Sequence, residues 1–94
     1  MVADCDFVIA PEHGRSANFC VVYWCYSKAG DLLYVGCTGN PVLRMAYHKR
    51  LKEWFEDVHW IAMSRWLPKV KALGLECEEI FSRSPKHNVR KRAA

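Results

Sequence analysis

Two apolar runs joined by a five-residue turn constrain this fold more than any other feature of the sequence. Residues 19–26 are rich in β-branched and aromatic side chains, which favours a strand. Residues 32–37 have a similar composition, and the segment 27–31 between them carries the serine, glycine and aspartate of a tight turn. We therefore expect an antiparallel hairpin. Gly36, near its end, predicts either a close approach of another group or a bend in the strand.

A helix and a third strand are predicted after the hairpin. Asn40 supplies an N-cap side chain and Pro41 suits a first helical turn, so a helix begins there. Arg44 and His48 are four residues apart and share a helix face at the edge of the apolar arc, so we expect them at the rim of a cleft. The third strand is predicted over residues 58–64. The apolar residues that we expect on the core side of the helix are Leu43, Ala46, Tyr47, Leu51, Trp54 and Phe55.

A second helix is predicted from Pro68 to about residue 82. Glu76 adjoins its apolar stripe, whereas Glu78 and Glu79 are expected to point away from it. The predicted order is β-β-α-β-α, which is an α/β fold with a small three-stranded antiparallel sheet flanked by helices. The residues of the expected buried stripe are Val70, Leu73, Cys77, Ile80 and Phe81.

The length and charge of the chain suit one small domain with an anionic partner. The 94 residues divide into an N-terminal lead-in (1–18), a domain (19–88) and a basic C-terminal tail (89–94). A net charge of +4 permits a polyanionic partner such as DNA. The basic residues gather in two clusters, which favours nucleic-acid contact. They are Arg44, Lys49, Arg50 and Lys52 in one cluster and Lys86, Arg90, Lys91 and Arg92 in the other.

Cysteine usage and hydropathy predict an intracellular protein. No apolar run reaches the ~18–20 residues of a membrane span, and the N-terminal residues do not resemble a signal peptide. The five cysteines are odd in number and form no CxxC pair, so we expect reduced thiols and a cytoplasmic, nucleoid or nuclear location. An alternative is a small zinc-binding interaction domain, although the ligand spacing does not favour it. Its ligands would be Cys20, Cys25, Cys37, Cys77 and a histidine.

A set of polar and aromatic residues carries a family resemblance over residues 21–88. Its members, in chain order, are Val21-Val22-Tyr23, Tyr34-Val35-Gly36, Arg44, His48 and the closing string Glu76-x3-Ile80-x4-Pro85-x2-Asn88. This ordered set resembles the signature of the GIY-YIG nuclease domain. Val21 replaces the family's leading glycine, and Val22 and Val35 replace isoleucines. None of these departures removes a catalytic residue type, and Val21 is expected to alter the packing beside the first tyrosine.

The resemblance implies a single-metal site that acts on a phosphodiester. A carboxylate suits Mg²⁺ or Mn²⁺, and an arginine suits the charge on the scissile phosphate. The resemblance leaves open which of the two tyrosines is the general base. The implied roles are metal binding for Glu76, phosphate stabilisation for Arg44, activation or orientation of water for Tyr23, hydrogen bonding to water or phosphate for Tyr34, proton relay for His48, and bracing through the backbone near the first strand for Asn88.

The resemblance thus predicts a metal-dependent endonuclease that hydrolyses DNA to leave 5′-phosphate and 3′-hydroxyl ends. Family members often carry a separate DNA-binding region, so a homodimer or a DNA-binding partner domain is also expected. The alternative is a non-catalytic nucleic-acid or protein-binding module on the same fold, whose binding would not depend on metal or on Glu76. The residues expected to contact DNA are Lys49, Arg50, Arg90, Lys91 and Arg92.

Overall fold

The hairpin expected from the sequence forms the centre of the fold. The computed structural model describes residues 18–88, so nearly all of the predicted lead-in and the whole basic tail lie outside the described residues. Strands β1 (Phe19–Ser27) and β2 (Leu32–Thr38) pair antiparallel. In the turn between them, the Gly30 amide donates a hydrogen bond to the Ser27 carbonyl at 2.9 Å. Gly30 has φ of +95°, a conformation that favours glycine.

The remaining elements complete an α/β fold with one antiparallel sheet and two helices. They are α1 (Pro41–Leu51), a 3-10 helix (Glu53–Asp57), β3 (Val58–Met63), β4 (Leu67–Pro68) and α2 (Lys69–Arg83). The sheet order is β2-β1-β3, and the two-residue β4 pairs with the start of β1. Sheet and helices were predicted, but β4 was not, so the observed strand and helix order is β-β-α-β-β-α. Within residues 18–88, no helix combines the length and apolar character needed to cross a bilayer.

Strand β1 is buried on both faces because the sheet lies between two layers. Val22 faces the layer formed by α2, where it packs in one cluster with Val35 and Ala72. Tyr23 points to the opposite layer, formed by α1 and the 3-10 helix, and packs in a second cluster with Met63. Burial on both faces explains why the β1 sequence is a continuous apolar run rather than an alternating one.

Helix α1 turns a different face inward from the one its apolar residues predicted. Leu43, Tyr47 and Leu51 are exposed, whereas Pro41 and His48 are buried. The expected position of His48 at a cleft rim is therefore wrong, because its ring is buried in the layer formed by α1 and the 3-10 helix. Trp54 and Phe55, also expected on this helix, belong to the 3-10 helix, since the chain is extended at Lys52. Ala46 is exposed as well.

Helix α2 also differs from the predicted pattern. Ala72 is its buried residue, and Leu75 and Ile80 pack beside it against the sheet. Of the expected buried stripe, only Ile80 packs against the core. Glu79, expected to point away, instead accepts a hydrogen bond from the Trp24 indole at 2.9 Å. The predicted stripe differs from the buried face because α2 has two apolar faces, and only one of them packs against the sheet. The residues found exposed are Val70, Leu73, Cys77 and Phe81.

Candidate active site

A buried tyrosine–histidine pair forms the centre of the candidate site. The Tyr23 hydroxyl and Nε2 of His48 are 2.7 Å apart, within hydrogen-bonding distance. Both side chains are almost completely buried. The other ring nitrogen of His48, Nδ1, is buried and has no hydrogen-bond partner among the described residues. Strand β1 and helix α1 thus position two groups that can exchange a proton.

Tyr34 lies beside this pair and is held by aromatic contacts. Its ring centroid is 6.0 Å from that of Tyr23 and 5.0 Å from that of His48. Trp54 of the 3-10 helix stacks on Tyr34 at 4.8 Å with an interplanar angle of 23°. His87 continues the stack on Trp54 at 5.6 Å and 10°. The stack limits the orientations available to Tyr34.

Arg44 enters the site because helix α1 begins where β2 ends. Asn40 caps the helix by accepting a hydrogen bond from the Leu43 amide at 3.1 Å. One turn later, the half-buried Arg44 has Nη1 3.5 Å from the Cys37 carbonyl oxygen, a long contact. Its guanidinium also interacts with the Tyr23 hydroxyl and opposes the rise in the pKa of that group. The cation therefore lies beside the phenol.

Glu76 reaches the same region from the opposite layer. It lies on α2, is half-buried, and makes no ion pair or hydrogen bond with any residue in the range 18–88. Burial raises the pKa of its carboxyl group, and nearby Arg44 partly offsets that rise. Glu76 also interacts electrostatically with Tyr34 and with Cys37 of β2. Because β2 is an edge strand, groups from both layers can meet there.

Gly36 provides the space that Tyr23 occupies. A Cβ built on Gly36 would overlap the Tyr23 hydroxyl and ring, with Cε1 at 2.8 Å. Gly36 faces Tyr23 in the register of β1 and β2. Of the two explanations that the sequence left open, close approach is therefore confirmed. Val21 is buried in the same cluster as Tyr23.

Asn88 braces the edge strand. Its Oδ1 accepts a hydrogen bond from the Val35 amide, and its Nδ2 donates to the Val35 carbonyl, both at 2.9 Å. Bracing through the backbone was expected, but near the first strand. That location is wrong, since Val35 belongs to β2. The amide takes the place of a neighbouring strand on an edge that would otherwise be open.

We expect Asn88→Ala to lower the free energy of unfolding by about 1–3 kcal/mol, because two backbone groups of Val35 lose their partners. Urea unfolding measures the change. Lys86→Ala is the control, since this exposed neighbour should change stability by less than about 0.5 kcal/mol. Equal stabilities of the two variants would contradict a bracing role for Asn88.

Burial sets the protonation states at the centre of the site. It lowers the pKa of His48 to about 4, helped by the positive charges of Arg44 and Lys52. It raises the pKa of Tyr23 above its ordinary value, and the neighbouring Tyr34 adds to that rise, whereas Arg44 opposes it. At neutral pH the imidazole is therefore uncharged and the phenol keeps its proton.

The lowered pKa of His48 predicts a pH-dependent stability. As pH falls below the ordinary value of 6.5, the unfolded chain takes up the proton first, so the native state loses stability. The loss continues to about pH 4, where the folded protein also binds the proton. Urea unfolding across this range, with the imidazole followed by NMR, measures the effect. Protonation of His48 in the folded protein above pH 6 would contradict it.

The other predicted residues do not join this centre. Lys49 and Arg50 are exposed on α1, on the side of the helix that faces away from the sheet. The expected DNA contacts Arg90, Lys91 and Arg92 lie outside the described residues. The zinc alternative gains no support, because residues 18–88 contain no group of three or more histidine, cysteine, aspartate or glutamate side chains placed to hold a metal ion. The four described cysteines are free thiols.

Three residues near the site were not predicted to belong to it. Trp54 and His87 complete the stack on Tyr34, and Cys37 interacts electrostatically with both Glu76 and Arg44. Burial raises the pKa of the Cys37 thiol to about 12, so it is a poor nucleophile at neutral pH. The apolar pattern assigned Trp54 to the core side of the helix. Its position six residues after His48 was the one signal that it could lie near the site.

The chain was compared with protein-family models, with curated proteins and with solved structures. None of the three comparisons finds a match.

Proposed function

We propose that this protein is a metal-dependent endonuclease of the GIY-YIG type, which hydrolyses DNA phosphodiester bonds in an intracellular compartment. The observation that carries the proposal is the convergence of Tyr23, Tyr34, Arg44, His48 and Glu76. Four separate elements, β1, β2, α1 and α2, supply these five side chains. Each is of a type that can serve phosphodiester hydrolysis. A hydrogen bond joins Tyr23 to His48, and Glu76 interacts electrostatically with Tyr34 and Arg44.

The first chemical task is to activate water, and the Tyr23–His48 pair is suited to it. The Tyr23 hydroxyl lies 2.7 Å from Nε2 of His48, and in the proposed arrangement it passes its proton to that nitrogen. The raised pKa of Tyr23 and the lowered pKa of His48 oppose this transfer in the free protein, so the step depends on the positive charge that Arg44 and a bound cation would supply to the phenolate. The phenolate oxygen can then orient an attacking water and remove its proton.

The second task is to neutralise the scissile phosphate. The Arg44 guanidinium offers a planar fork of donors that matches phosphate oxygens and never loses its charge. Tyr34, whose ring stacks on Trp54, interacts electrostatically with Glu76 and is proposed to hydrogen-bond the water or the phosphate.

Glu76 is the residue that fits a divalent cation. It is a half-buried carboxylate without an ion pair in the described part of the chain, and burial raises its pKa although nearby Arg44 partly offsets the rise. Mg²⁺ and Mn²⁺ suit a lone carboxylate because they retain water and take phosphate oxygens as further ligands. When bound, the cation supplies positive charge for the phosphate and the leaving oxygen.

The exposed face of α1 is the proposed DNA contact. Lys49, Arg50 and Lys52 are exposed at the C-terminal end of the same helix that carries Arg44. Contacts of lysine and arginine with phosphates supply affinity that is independent of base sequence and weakens with salt. We therefore propose weak, sequence-independent DNA binding next to the catalytic arginine.

Metal-dependent cleavage tests the proposal. The wild-type protein is incubated with supercoiled, linear and branched DNA in Mg²⁺, Mn²⁺ or EDTA, and product ends are mapped. We expect nicking with either cation, none with EDTA, and 5′-phosphate with 3′-hydroxyl ends. DNA binding without cleavage of any substrate, unchanged by EDTA, would overturn the nuclease proposal and favour a non-catalytic binding module.

A further inference from the structure

The face of α2 that points away from the sheet carries an apolar row. Val70 is 81% exposed and Phe81 85% exposed, and Leu73 and Cys77 are exposed between them. Spacings of three, four and four residues place all four on one line along the helix, opposite the buried Ala72. We call these four residues the outer row. A row of this kind on a small domain indicates an interaction surface.

We propose that the outer row is the docking surface for a second copy of this chain, with α2 packed antiparallel on the partner's α2 across a twofold axis. The charges beside the row carry this choice. Lys71 and Glu78 are both exposed and lie on the same side of it, seven residues apart. In an antiparallel twofold pair, Lys71 lies opposite the partner's Glu78, and the reverse holds across the axis. The pattern is therefore complementary to itself.

The apolar residues fit the same register. With the axis near Leu75, Leu73 lies opposite the partner's Cys77, and Val70 lies close to the partner's Phe81. Gly74 is exposed at the centre of the row, and a Cβ there would meet nothing within 4 Å. The missing side chain allows the two helix backbones to approach closely. This explains a glycine that costs about 1 kcal/mol relative to alanine in a helix interior.

The exposed apolar residues of α1 do not offer an equivalent surface. Leu43, Tyr47 and Leu51 are exposed beside Lys49 and Arg50, and α1 has no acidic residue to balance these charges. Two copies meeting there would place like charges together, whereas a polyanion would be attracted. The two helices therefore have different partners, and the dimer inference does not depend on the proposed nuclease activity.

The size of the surface sets the expected strength. Stable protein interfaces bury about 800 Å² per partner, and one pair of 15-residue helices offers less than that. We therefore expect a reversible dimer that dissociates on dilution. The interface uses the face of α2 opposite the sheet, so Glu76 remains accessible in each copy.

A charge exchange tests the pairing and its register. Sedimentation of the full chain should show a concentration-dependent dimer. Lys71→Glu and Glu78→Lys should each raise the dissociation constant, because each places like charges in contact, and the double variant should restore it. Phe81→Glu should raise it at least tenfold. Val42→Glu, at an exposed apolar position of α1, is the control and should leave it unchanged.

Two outcomes would overturn the inference. One is a chain that stays monomeric at millimolar concentration, which would assign the outer row to another occupant. The other is a dimer that Phe81→Glu does not weaken. A dimer weakened by Phe81→Glu but not restored by the double charge exchange would overturn the antiparallel twofold arrangement. Circular dichroism and urea unfolding of each variant confirm that the fold is intact.

Discussion

Tyr23→Phe should lower the rate of DNA cleavage at least a hundredfold while leaving DNA bound. The substitution removes the oxygen that lies 2.7 Å from His48 Nε2 and interacts with Arg44. Without it, the imidazole loses its partner for proton exchange and the site loses the oxygen proposed to accept the proton of water. General acid–base groups of this kind contribute about 10²–10⁴ in rate. Single-turnover cleavage of a labelled duplex, with binding measured in EDTA, separates the two effects.

The same substitution should also destabilise the fold by about 1–3 kcal/mol, because both nitrogens of the buried His48 would then lack a partner. Tyr47→Phe is the matched control. Tyr47 is exposed and meets His48 through its ring, so loss of its hydroxyl should change neither cleavage nor stability. Cleavage by Tyr23→Phe at the wild-type rate would remove Tyr23 from the mechanism and leave Tyr34 as the remaining candidate base.

Gly36→Ala should damage both the fold and the site. A methyl group at this position overlaps the Tyr23 ring, and the ring has no free space because it is fully buried. Overpacking in a core costs about 1–3 kcal/mol. The ring can relieve the overlap only by moving, which would separate its hydroxyl from His48. We therefore expect lower stability by urea unfolding together with a loss of cleavage of similar size to that of Tyr23→Phe.

Gly39→Ala is the control for this prediction. Gly39 follows β2, and a Cβ there would meet one atom, the Phe19 carbonyl oxygen, at 3.4 Å. Stability and cleavage should remain close to those of the wild type. A Gly36→Ala variant that cleaves normally would show that the position of Tyr23 within the site is not critical.

The three longer strands and the order of the two α-helices could be predicted from local sequence alone. Residues 19–26 form a strand because their β-branched and aromatic side chains suit one, and Asn40 and Pro41 begin α1 as their chemistry predicts. The short β4 could not be predicted. Its two residues pair with Phe19 and Cys20 through backbone hydrogen bonds, which leave no pattern in side-chain composition.

The inward faces of both helices could not be predicted, for a reason connected with the site. Hydrophobic periodicity assumes that the apolar face packs, yet α1 turns Arg44 and His48 toward Tyr23 and leaves Leu43 in solvent. On α2 two apolar faces compete, and periodicity does not say which one meets the sheet. The motif residues were singled out because their order in the chain resembles a known signature, whereas Trp54 had no motif to mark it.

Cleavage of supercoiled DNA by a matched pair of glutamate variants tests the central claim most directly. Glu76→Gln removes the half-buried carboxylate beside Arg44, and Glu78→Gln removes an exposed one two residues away on the same helix. The pKa of Glu76 is raised in the folded state, so its charge opposes folding as pH rises above the ordinary value of 4.5. Glu76→Gln should therefore be at least as stable as the wild type at neutral pH.

We predict that, in Mg²⁺ or Mn²⁺, the wild type and Glu78→Gln cut the DNA and that folded Glu76→Gln does not, although it still binds DNA. Loss of cleavage in a stable protein would then reflect the carboxylate alone. Metal-dependent cleavage by Glu76→Gln at the wild-type rate would contradict the account, because the residue proposed to hold the metal would not be required.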